Sequence, residues 1–191
     1  MLTTITMPLP PPTMAADRPE SARLTAMFAT YSVFVWRTLR RLGVPDGAAD
    51  DGCQEVFIVA ARNLKHISVS QERAFLFGVA VRVAATVRRA QRRKPWHAPS
   101  ADGDIDADIA APNTDAATQL DQHYARVLLD QIVQSLDEDV RAVFISFELE
   151  QMTMSEIAQA LDLPAGTVAS RLRRAREQFQ AAVERHKRGA R

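Results

Sequence analysis

Apolar residues recur at helical spacing along two stretches of the chain, and neither stretch shows the strict alternation typical of a strand. In the first stretch, residues 24–42 carry one apolar stripe, and Gly43 followed by Pro45 ends that helix. Two further stripes cover residues 53–64 and 76–87, with a short polar loop between them. The N-terminal stretch therefore predicts three helices.

The second stretch begins near residue 120 and continues through residues 140–147, beyond a predicted N-cap at Asp137. Between the stretches, residues 95–115 hold three prolines and alternating aspartates without an apolar period, as expected of a flexible linker. The pattern predicts an all-α protein with two small helical domains joined by this acidic linker. We divide the chain into a disordered proline-rich tail (1–20), a first domain (21–94), the linker (95–116) and a second domain (117–191).

Composition narrows the class of protein. With 191 residues, 47% hydrophobic and 25% charged, the chain matches soluble globular proteins. No stretch approaches the ~18 consecutive apolar residues of a membrane span, so we expect a cytoplasmic protein without membrane insertion. The single cysteine, Cys53, excludes an internal disulfide, and we expect neither a metal nor a cofactor. Its place on an apolar stripe predicts a core residue.

The net charge of +1 hides an uneven distribution. Residues 82–94 contain six basic residues and no acid, residues 95–125 contain six aspartates and no lysine or arginine, and residues 165–191 are again strongly basic. Two basic blocks thus flank an acidic connector, which points to a polyanionic partner for each block.

The segment from Thr153 to Phe179 has the pattern of a helix-turn-helix. Thr153 and Glu156 fit a capping box, a short helix follows, and Pro164 stands at the start of the next helix. Asp162 occupies the turn, where aspartate tolerates a left-handed backbone better than most residues.

The second helix of this motif presents hydroxyl groups at its start and arginines behind them. Such a face suits entry into a DNA major groove, although an arginine-rich helix can also be an ordinary solvated face. The capping box, the turn with proline and the helix entry occur together here, and this combination favours DNA binding. The residues on that face are Thr167, Ser170, Arg171, Arg173, Arg174 and Arg176.

Asp51, Gln54 and Glu55 share one face of the second predicted helix, opposite the Cys53 stripe. No histidine, serine or lysine stands at a spacing that would make the carboxylates a catalytic pair. Two interpretations remain open for this face on the residues alone, a solvated surface and a docking surface for a protein partner.

Residues 51–57, read as D-x-x-Q-E-x-F, resemble the region 2 signature of bacterial sigma factors, and residues 158–176 resemble their region 4 helix-turn-helix. The resemblance covers roughly residues 22–94 and 117–185. Regions 2 and 4 alone, with a short linker, are similar to the extracytoplasmic-function (ECF) subfamily of the sigma-70 family. In that family a glycine usually stands where this chain has Asp162.

The resemblance implies a promoter-specificity subunit that is not itself an enzyme. It implies docking of region 2 on the β′ clamp helices of core RNA polymerase, a contact of region 4 with the β flap, and a cognate anti-sigma factor. The implied polymerase contacts are Asp51, Gln54, Glu55 and Phe57. The implied contacts with the −10 element are His66, Ser68, Ser70, Gln71, Arg73, Arg82, Thr86, Arg88, Arg89, Arg92 and Arg93. The recognition-helix face named above would read the −35 element.

Two other function classes compete with this one. A self-sufficient helix-turn-helix regulator would need no polymerase-docking surface, so the Asp51 face discriminates between the two. An enzyme acting on nucleic acid would need a metal cluster or a phosphate-cradling glycine loop, and the sequence carries neither motif.

Overall fold

The structure is a computed structural model that describes residues 18–93 and 116–189, and within these ranges every regular element is helical. Nearly all of the predicted proline-rich tail and acidic linker lies outside the described residues. The first helix begins at Arg18, so the predicted boundary at residue 20 falls inside it. The helices are α1 (Arg18–Arg41), α2 (Asp46–Asn63), α3 (Glu72–Arg93), α4 (Ala116–Gln134), α5 (Glu138–Phe144), α6 (Met154–Leu161) and α7 (Ala165–Gly189).

Helices α1, α2 and α3 form a three-helix bundle around the apolar stripes that the sequence predicts. Val35, Leu39, Val56 and Phe77 are completely buried in its centre. Burying one such side chain contributes roughly 1.5–3 kcal/mol, so these contacts hold the three helices together. Cys53 is also buried, and burial raises the pKa of its thiol, which confirms it as a core residue.

Arg23 of α1 fixes the loop that joins α2 to α3. Its guanidinium group donates to the carboxylate of Glu72 at 2.8 Å and to the carbonyl oxygens of Leu64 at 3.1 Å and Ile67 at 2.5 Å. Two single turns of 3₁₀ helix, Leu64–His66 and Val69–Gln71, complete the loop. The loop therefore has a defined conformation although its polar side chains face solvent.

The helix-turn-helix has the predicted local structure. The hydroxyl of Thr153 accepts from the Glu156 amide at 3.3 Å, and the Glu156 carboxylate accepts from the Thr153 amide at 2.7 Å. The hydrogen bonds that the Thr153 amide and, at 2.8 Å, the Thr153 hydroxyl donate to the Glu156 carboxylate lower the pKa of Glu156. Asp162 ends α6 in the left-handed region (φ 52°, ψ 51°), as its position in the turn predicted. Leu172 of α7 is buried in the core of this motif.

Other features of the C-terminal domain differ from the prediction. Asp137 precedes α5 but accepts no capping hydrogen bond from it. Its carboxylate instead accepts from the Gln178 side chain at 2.5 Å, which links the start of α5 to α7. A π-helical segment, Ile145–Leu149, follows α5. Helix α7 continues to Gly189, ten residues beyond the predicted end, and carries its basic residues far past the turn.

The two domains pack directly on one another through α3 and α6, and their buried apolar residues form one continuous cluster. Gly78 of α3 makes this approach possible. A Cβ atom on Gly78 would lie 2.2 Å from the carbonyl oxygen of Ala160, far inside van der Waals contact. No residue other than glycine fits at this position without moving α6.

Candidate functional site

Asp51, Gln54 and Glu55 lie on the exposed face of α2, as the helical spacing predicted. Asp51 and Glu55 line one side of a groove between α2 and α3, while Arg82 and Thr86 line the other side, with Val83 also in the wall. The groove thus has an acidic rim next to a basic one. Between the rims the lining is mostly apolar, with Val59, Val79 and Val87 beside Val83, and the charged rims suit a protein partner on the α2 side and a nucleic acid on the α3 side.

Phe57 differs from the other predicted polymerase contacts in its burial. Its side chain is buried, and its ring packs against that of Phe28 at 4.8 Å between centroids. The helical period places Phe57 on the same apolar stripe as Cys53, and this position explains why its side chain is buried. Phe28 remains 50% exposed, so it is the ring of this pair that a partner can reach.

The loop before α3 presents small polar groups to solvent. His66, Ser68, Ser70 and Gln71 are all exposed, and the Ser68 hydroxyl lies 2.9 Å from the Gln71 side-chain oxygen. Val69 stands between the two serines with 71% of its surface exposed. No sequence signal singles out Val69, because single apolar residues are common on protein surfaces.

The basic residues of α3 fall into two groups. The first group, Arg82, Arg89 and Arg93, faces solvent. The Thr86 hydroxyl donates to the backbone carbonyl of Arg82 at 3.1 Å and accepts from the Arg89 side chain at 3.3 Å. Arg93 is exposed at the end of the helix. The second group is engaged with the C-terminal domain and consists of Arg73, Arg88 and Arg92.

Glutamates of the C-terminal domain hold this second group. Arg88 donates to Glu138 at 2.5 Å, and Arg92 lies 3.7 Å from the same carboxylate. The hydrogen bond from Arg88 lowers the pKa of Glu138, and the positive charges of Arg88 and Arg92 reinforce it. Arg73 pairs with Glu150 at 3.4 Å.

The recognition helix α7 presents its predicted face outward at the turn. Thr167 and Arg171 are half-buried, whereas Ser170 is exposed and donates to the Thr167 carbonyl at 3.0 Å. Arg171 forms no ion pair with any residue that the structure describes. Three further arginines of this face are exposed and paired with acids of the same domain: Arg173 with Glu177 at 2.8 Å, Arg174 with Asp139 at 3.1 Å, and Arg176 with Glu148 at 2.7 Å.

Two of these pairs, Arg173–Glu177 and Arg174–Asp139, are weak because both partners are exposed to water. Exposed ion pairs contribute roughly 0–1 kcal/mol each, so a DNA phosphate can replace the carboxylate at little cost. Arg176 also stacks over the Phe147 ring at 5.3 Å, which orients its guanidinium group. The exposed side of α7 thus presents three arginines, Arg173, Arg174 and Arg176, that are oriented by contacts within their own domain and can still bind DNA phosphates.

Neither a metal site nor a membrane span is found in the described parts of the chain. Within residues 18–93 and 116–189, no three His, Cys, Asp or Glu side chains are grouped to hold a metal ion. None of the helices there has the length and apolar character needed to cross a bilayer.

Comparison with known proteins assigns both domains. The Sigma-70 region 2 family matches residues 27–94, and the Sigma-70, region 4 family matches residues 126–179. The ECF RNA polymerase sigma-E factor of Escherichia coli (strain K12) is 35% identical and covers 74% of this chain and 76% of its own length. The corresponding factor of Haemophilus influenzae is 32% identical, covering 70% of this chain and 74% of its own length.

Solved structures share the fold. CnrH in complex with the cytosolic domain of CnrY superposes with a TM-score of 0.61 at 22% identity, covering 88% of this chain and 97% of CnrH. RpoE in complex with the anti-sigma factor NepR from Bartonella quintana gives 0.61 at 15% identity, covering 85% and 97%. The two region matches and the curated relatives together show that this chain belongs to the ECF sigma factors of the sigma-70 family.

Proposed function

We propose that this sigma factor docks on core RNA polymerase through Asp51, Gln54 and Glu55 and contacts two promoter elements, one with the N-terminal domain and one with α7. The observation that carries the proposal is the groove between α2 and α3, where Asp51 and Glu55 form an acidic rim beside Arg82 of the basic helix. A self-sufficient regulator has no need of this arrangement. By analogy with the family, the partner on the acidic side is the pair of β′ clamp helices, and region 4 meets the β flap.

At the −10 element, the loop before α3 and the exposed side of α3 would act together. Opening a duplex replaces base stacking by contacts with protein, and the loop offers an imidazole, two hydroxyls, an amide and the exposed Val69 for that purpose. Arg82, Arg89 and Arg93 would contact the backbone phosphates along α3. Arg73, Arg88 and Arg92 belong to the same predicted set, and their contacts with the C-terminal domain must be released first.

At the −35 element, α7 would enter the major groove of duplex DNA. The start of the helix, with Thr167 and Ser170, lies nearest the turn, where recognition helices contact base edges. The arginines farther along α7 would contact guanines or phosphates. Their present partners are exposed acids, so binding requires only side-chain rearrangement.

Partners and location follow from this role. The solved relatives were captured with the cytosolic domain of CnrY and with the anti-sigma factor NepR, and we extend an anti-sigma partner to this chain. The chain would supply no catalytic group, since nucleotide transfer belongs to the polymerase. Its place of action would be the cytoplasm, where polymerase and DNA are.

The test of the docking surface is association with purified core polymerase in the absence of DNA, followed by size-exclusion chromatography. Charge reversal by Asp51→Lys and Glu55→Lys together should abolish co-elution, because the two introduced ammonium groups would repel a basic partner surface that the carboxylates attract. Glu20→Lys reverses an exposed charge on α1 of the same domain and should leave association intact. Normal association of the double variant, with its helical spectrum unchanged, would refute the docking surface.

A further inference from the structure

One arginine side chain closes the base of the loop between α2 and α3. Nη2 of Arg23 donates to the backbone carbonyl of Ile67 at 2.5 Å and to the carboxylate of Glu72 at 2.8 Å. Nε donates to the same carboxylate oxygen at 2.9 Å, and Nη1 donates to the carbonyl of Leu64 at 3.1 Å. A single nitrogen atom thus joins the residue before the loop tip, residues 68–71, to the residue after it.

The residues that anchor the loop are buried, whereas the loop tip is exposed. Glu72, Leu64 and Ile67 are all buried. A carboxylate removed from water is stable only when it is paired and hydrogen-bonded, so Glu72 holds the Arg23 guanidinium group in one position. All four residues of the loop tip face solvent. The contacts of Arg23 therefore act on the base of the loop and leave its tip free for a ligand.

The backbone hydrogen bonds of the loop are local. The Ile67 amide donates to the Leu64 carbonyl at 3.4 Å, and the Gln71 amide donates to the Ser68 carbonyl at 3.0 Å. Each bond closes one turn of 3₁₀ helix, in which hydrogen-bond geometry is poorer than in an α-helix. Such bonds shape single turns but do not fix the loop tip against the bundle. Its position depends on Arg23 and on the buried side chains of Leu64 and Ile67.

The loop tip carries three of the residues that we propose at the −10 element, namely Ser68, Ser70 and Gln71. Hydroxyl and amide groups recognise an unstacked base through hydrogen bonds, and these weaken steeply when their angle departs from the optimum. A tip that moved relative to α3 would have to be ordered when the base binds, and the cost of that ordering would oppose binding. Contacts that fix the tip in advance remove this cost.

We infer that Arg23 and Glu72 are positioning residues for promoter opening, which hold the loop tip in the conformation that receives an unpaired base of the −10 element. Arg23 itself does not contact DNA in this role, since all three nitrogen atoms of its guanidinium group donate to the protein. The contacts of Arg23 stand on the structure, and their effect on DNA rests on the proposed −10 role of the loop.

The sharpest test is Arg23→Lys in the full chain. Lysine keeps a positive charge beside Glu72, but one ammonium group cannot reproduce the planar fork that reaches the carboxylate and both carbonyl groups. The variant therefore retains the charge and loses the geometry. Glu72→Gln is the second variant, because it keeps the side-chain shape and replaces a charge-assisted hydrogen bond by a weaker neutral one. Glu20→Gln is the control, since it neutralises the acid of α1 that pairs with the exposed Lys65.

Each variant is combined with core RNA polymerase and with a promoter fragment mapped by transcription in vitro. Permanganate reactivity of unpaired thymines measures strand opening, and fluorescence anisotropy at low temperature measures binding to the closed duplex. Arg23→Lys should reduce the equilibrium constant for opening roughly tenfold, as expected if the loop tip keeps its binding conformation in about a tenth of the molecules. Duplex binding and its salt slope should equal those of wild type, because no phosphate contact is lost. Glu72→Gln should show a smaller loss of opening, and Glu20→Gln should show none.

Two results would overturn the inference. One is strand opening by Arg23→Lys at the wild-type level, which would show that the charge beside Glu72 suffices and the fork does not position the loop. The other is an equal loss of strand opening and of polymerase association, which would show that the pair only maintains the fold of the domain. Circular dichroism establishes that each variant is folded, and Glu72→Gln decides by the same criteria if Arg23→Lys is not.

A further variant, Ser70→Ala with Gln71→Ala, tests the −10 role of the loop itself. Strand opening at the wild-type level by this variant would show that the proposed −10 role is wrong, and the positioning role would fall with it. A defect in this variant together with normal opening by Arg23→Lys would show that only the positioning role is wrong. The two failures are therefore distinguishable.

Discussion

The two basic helices of this sigma factor, α3 and α7, carry similar charge but hold it in opposite ways. Arg88 of α3 is paired with Glu138 of the other domain and is largely buried. Arg174 of α7 is paired with Asp139 of its own domain and remains 47% exposed. Freeing the first requires two domains to part, whereas freeing the second requires one side chain to turn. Net charge along a helix therefore says little about its availability to DNA.

The difference has a consequence for the free protein. An exposed ion pair exchanges its carboxylate for a phosphate with a change of roughly 0–1 kcal/mol, so α7 can sample duplex DNA before polymerase is bound. On α3, Arg73 first has to leave Glu150, whose buried carboxylate also contacts Arg37 and Arg41 of α1. We expect the free chain to meet DNA with region 4 before region 2.

The largest effect is expected on stability, from truncating the buried Leu172 side chain of α7. Leu172→Ala should lower the free energy of unfolding by about 2–5 kcal/mol, because a buried leucine loses its contacts and leaves a cavity. Urea denaturation measures the loss, and Gln180→Ala on the exposed face of α7 should change stability by less than about 0.5 kcal/mol. Equal stability of the two variants would contradict the packing of Leu172.

The next effect concerns DNA binding by the arginines of α7. Arg171→Ala combined with Arg174→Ala should weaken duplex binding and reduce the salt slope by about two units, since each phosphate contact contributes ~0.9. Fluorescence anisotropy over a range of salt concentrations measures the slope. Arg185→Ala, on the same helix but outside the predicted face, is the control, and a slope as steep in the double variant as in that control would remove α7 from the groove.

A smaller effect separates the two groups of arginines on α3. Arg88→Ala should leave single-strand binding of the chain unchanged, because Glu138 already occupies that arginine. Arg89→Ala, at an exposed position of the same helix, should instead reduce the salt slope by about 0.7. Equal effects of the two substitutions would show that Arg88 is as available to nucleic acid as Arg89.

The smallest expected effect is a change in the pKa of the Glu138 carboxyl group. The hydrogen bond from Arg88 lowers the pKa of Glu138 below its ordinary value of 4.5, so the contact stabilises the folded state above that pH and is lost as pH falls through the lowered value. Arg88→Ala should return the pKa toward 4.5, as measured by carbon-13 NMR of the carboxyl group. Arg92→Ala should produce a smaller rise, and identical titration curves for wild type and Arg88→Ala would contradict the ion pair.

Local features of this chain could be predicted from sequence because their causes are local. The capping box of Thr153 and Glu156 and the left-handed Asp162 depend on neighbours within a few residues. Glu150 could not be assigned in the same way, since its partner Arg41 stands 109 residues away. A second acid, Glu148, stands two residues before Glu150, and nothing in the sequence pattern distinguishes the buried glutamate from the more exposed one.

One failed prediction shows how tertiary contacts override a local rule. Asp137 has the residue type and position of an N-cap, yet its carboxylate is taken by Gln178 and Arg174 of α7. Its partner Gln178 stands 41 residues away on another helix, so the linear pattern could not reveal this contact.

Transcription in vitro tests the function of this sigma factor most directly. Purified core RNA polymerase from the same organism is assayed with and without the protein on fragments of its own genome. We expect discrete start sites that depend on the protein, vanish with Asp51→Lys and Glu55→Lys together, and share two upstream sequence elements. DNA binding by the protein without association or initiation by the polymerase would contradict the assignment and favour a self-sufficient helix-turn-helix regulator.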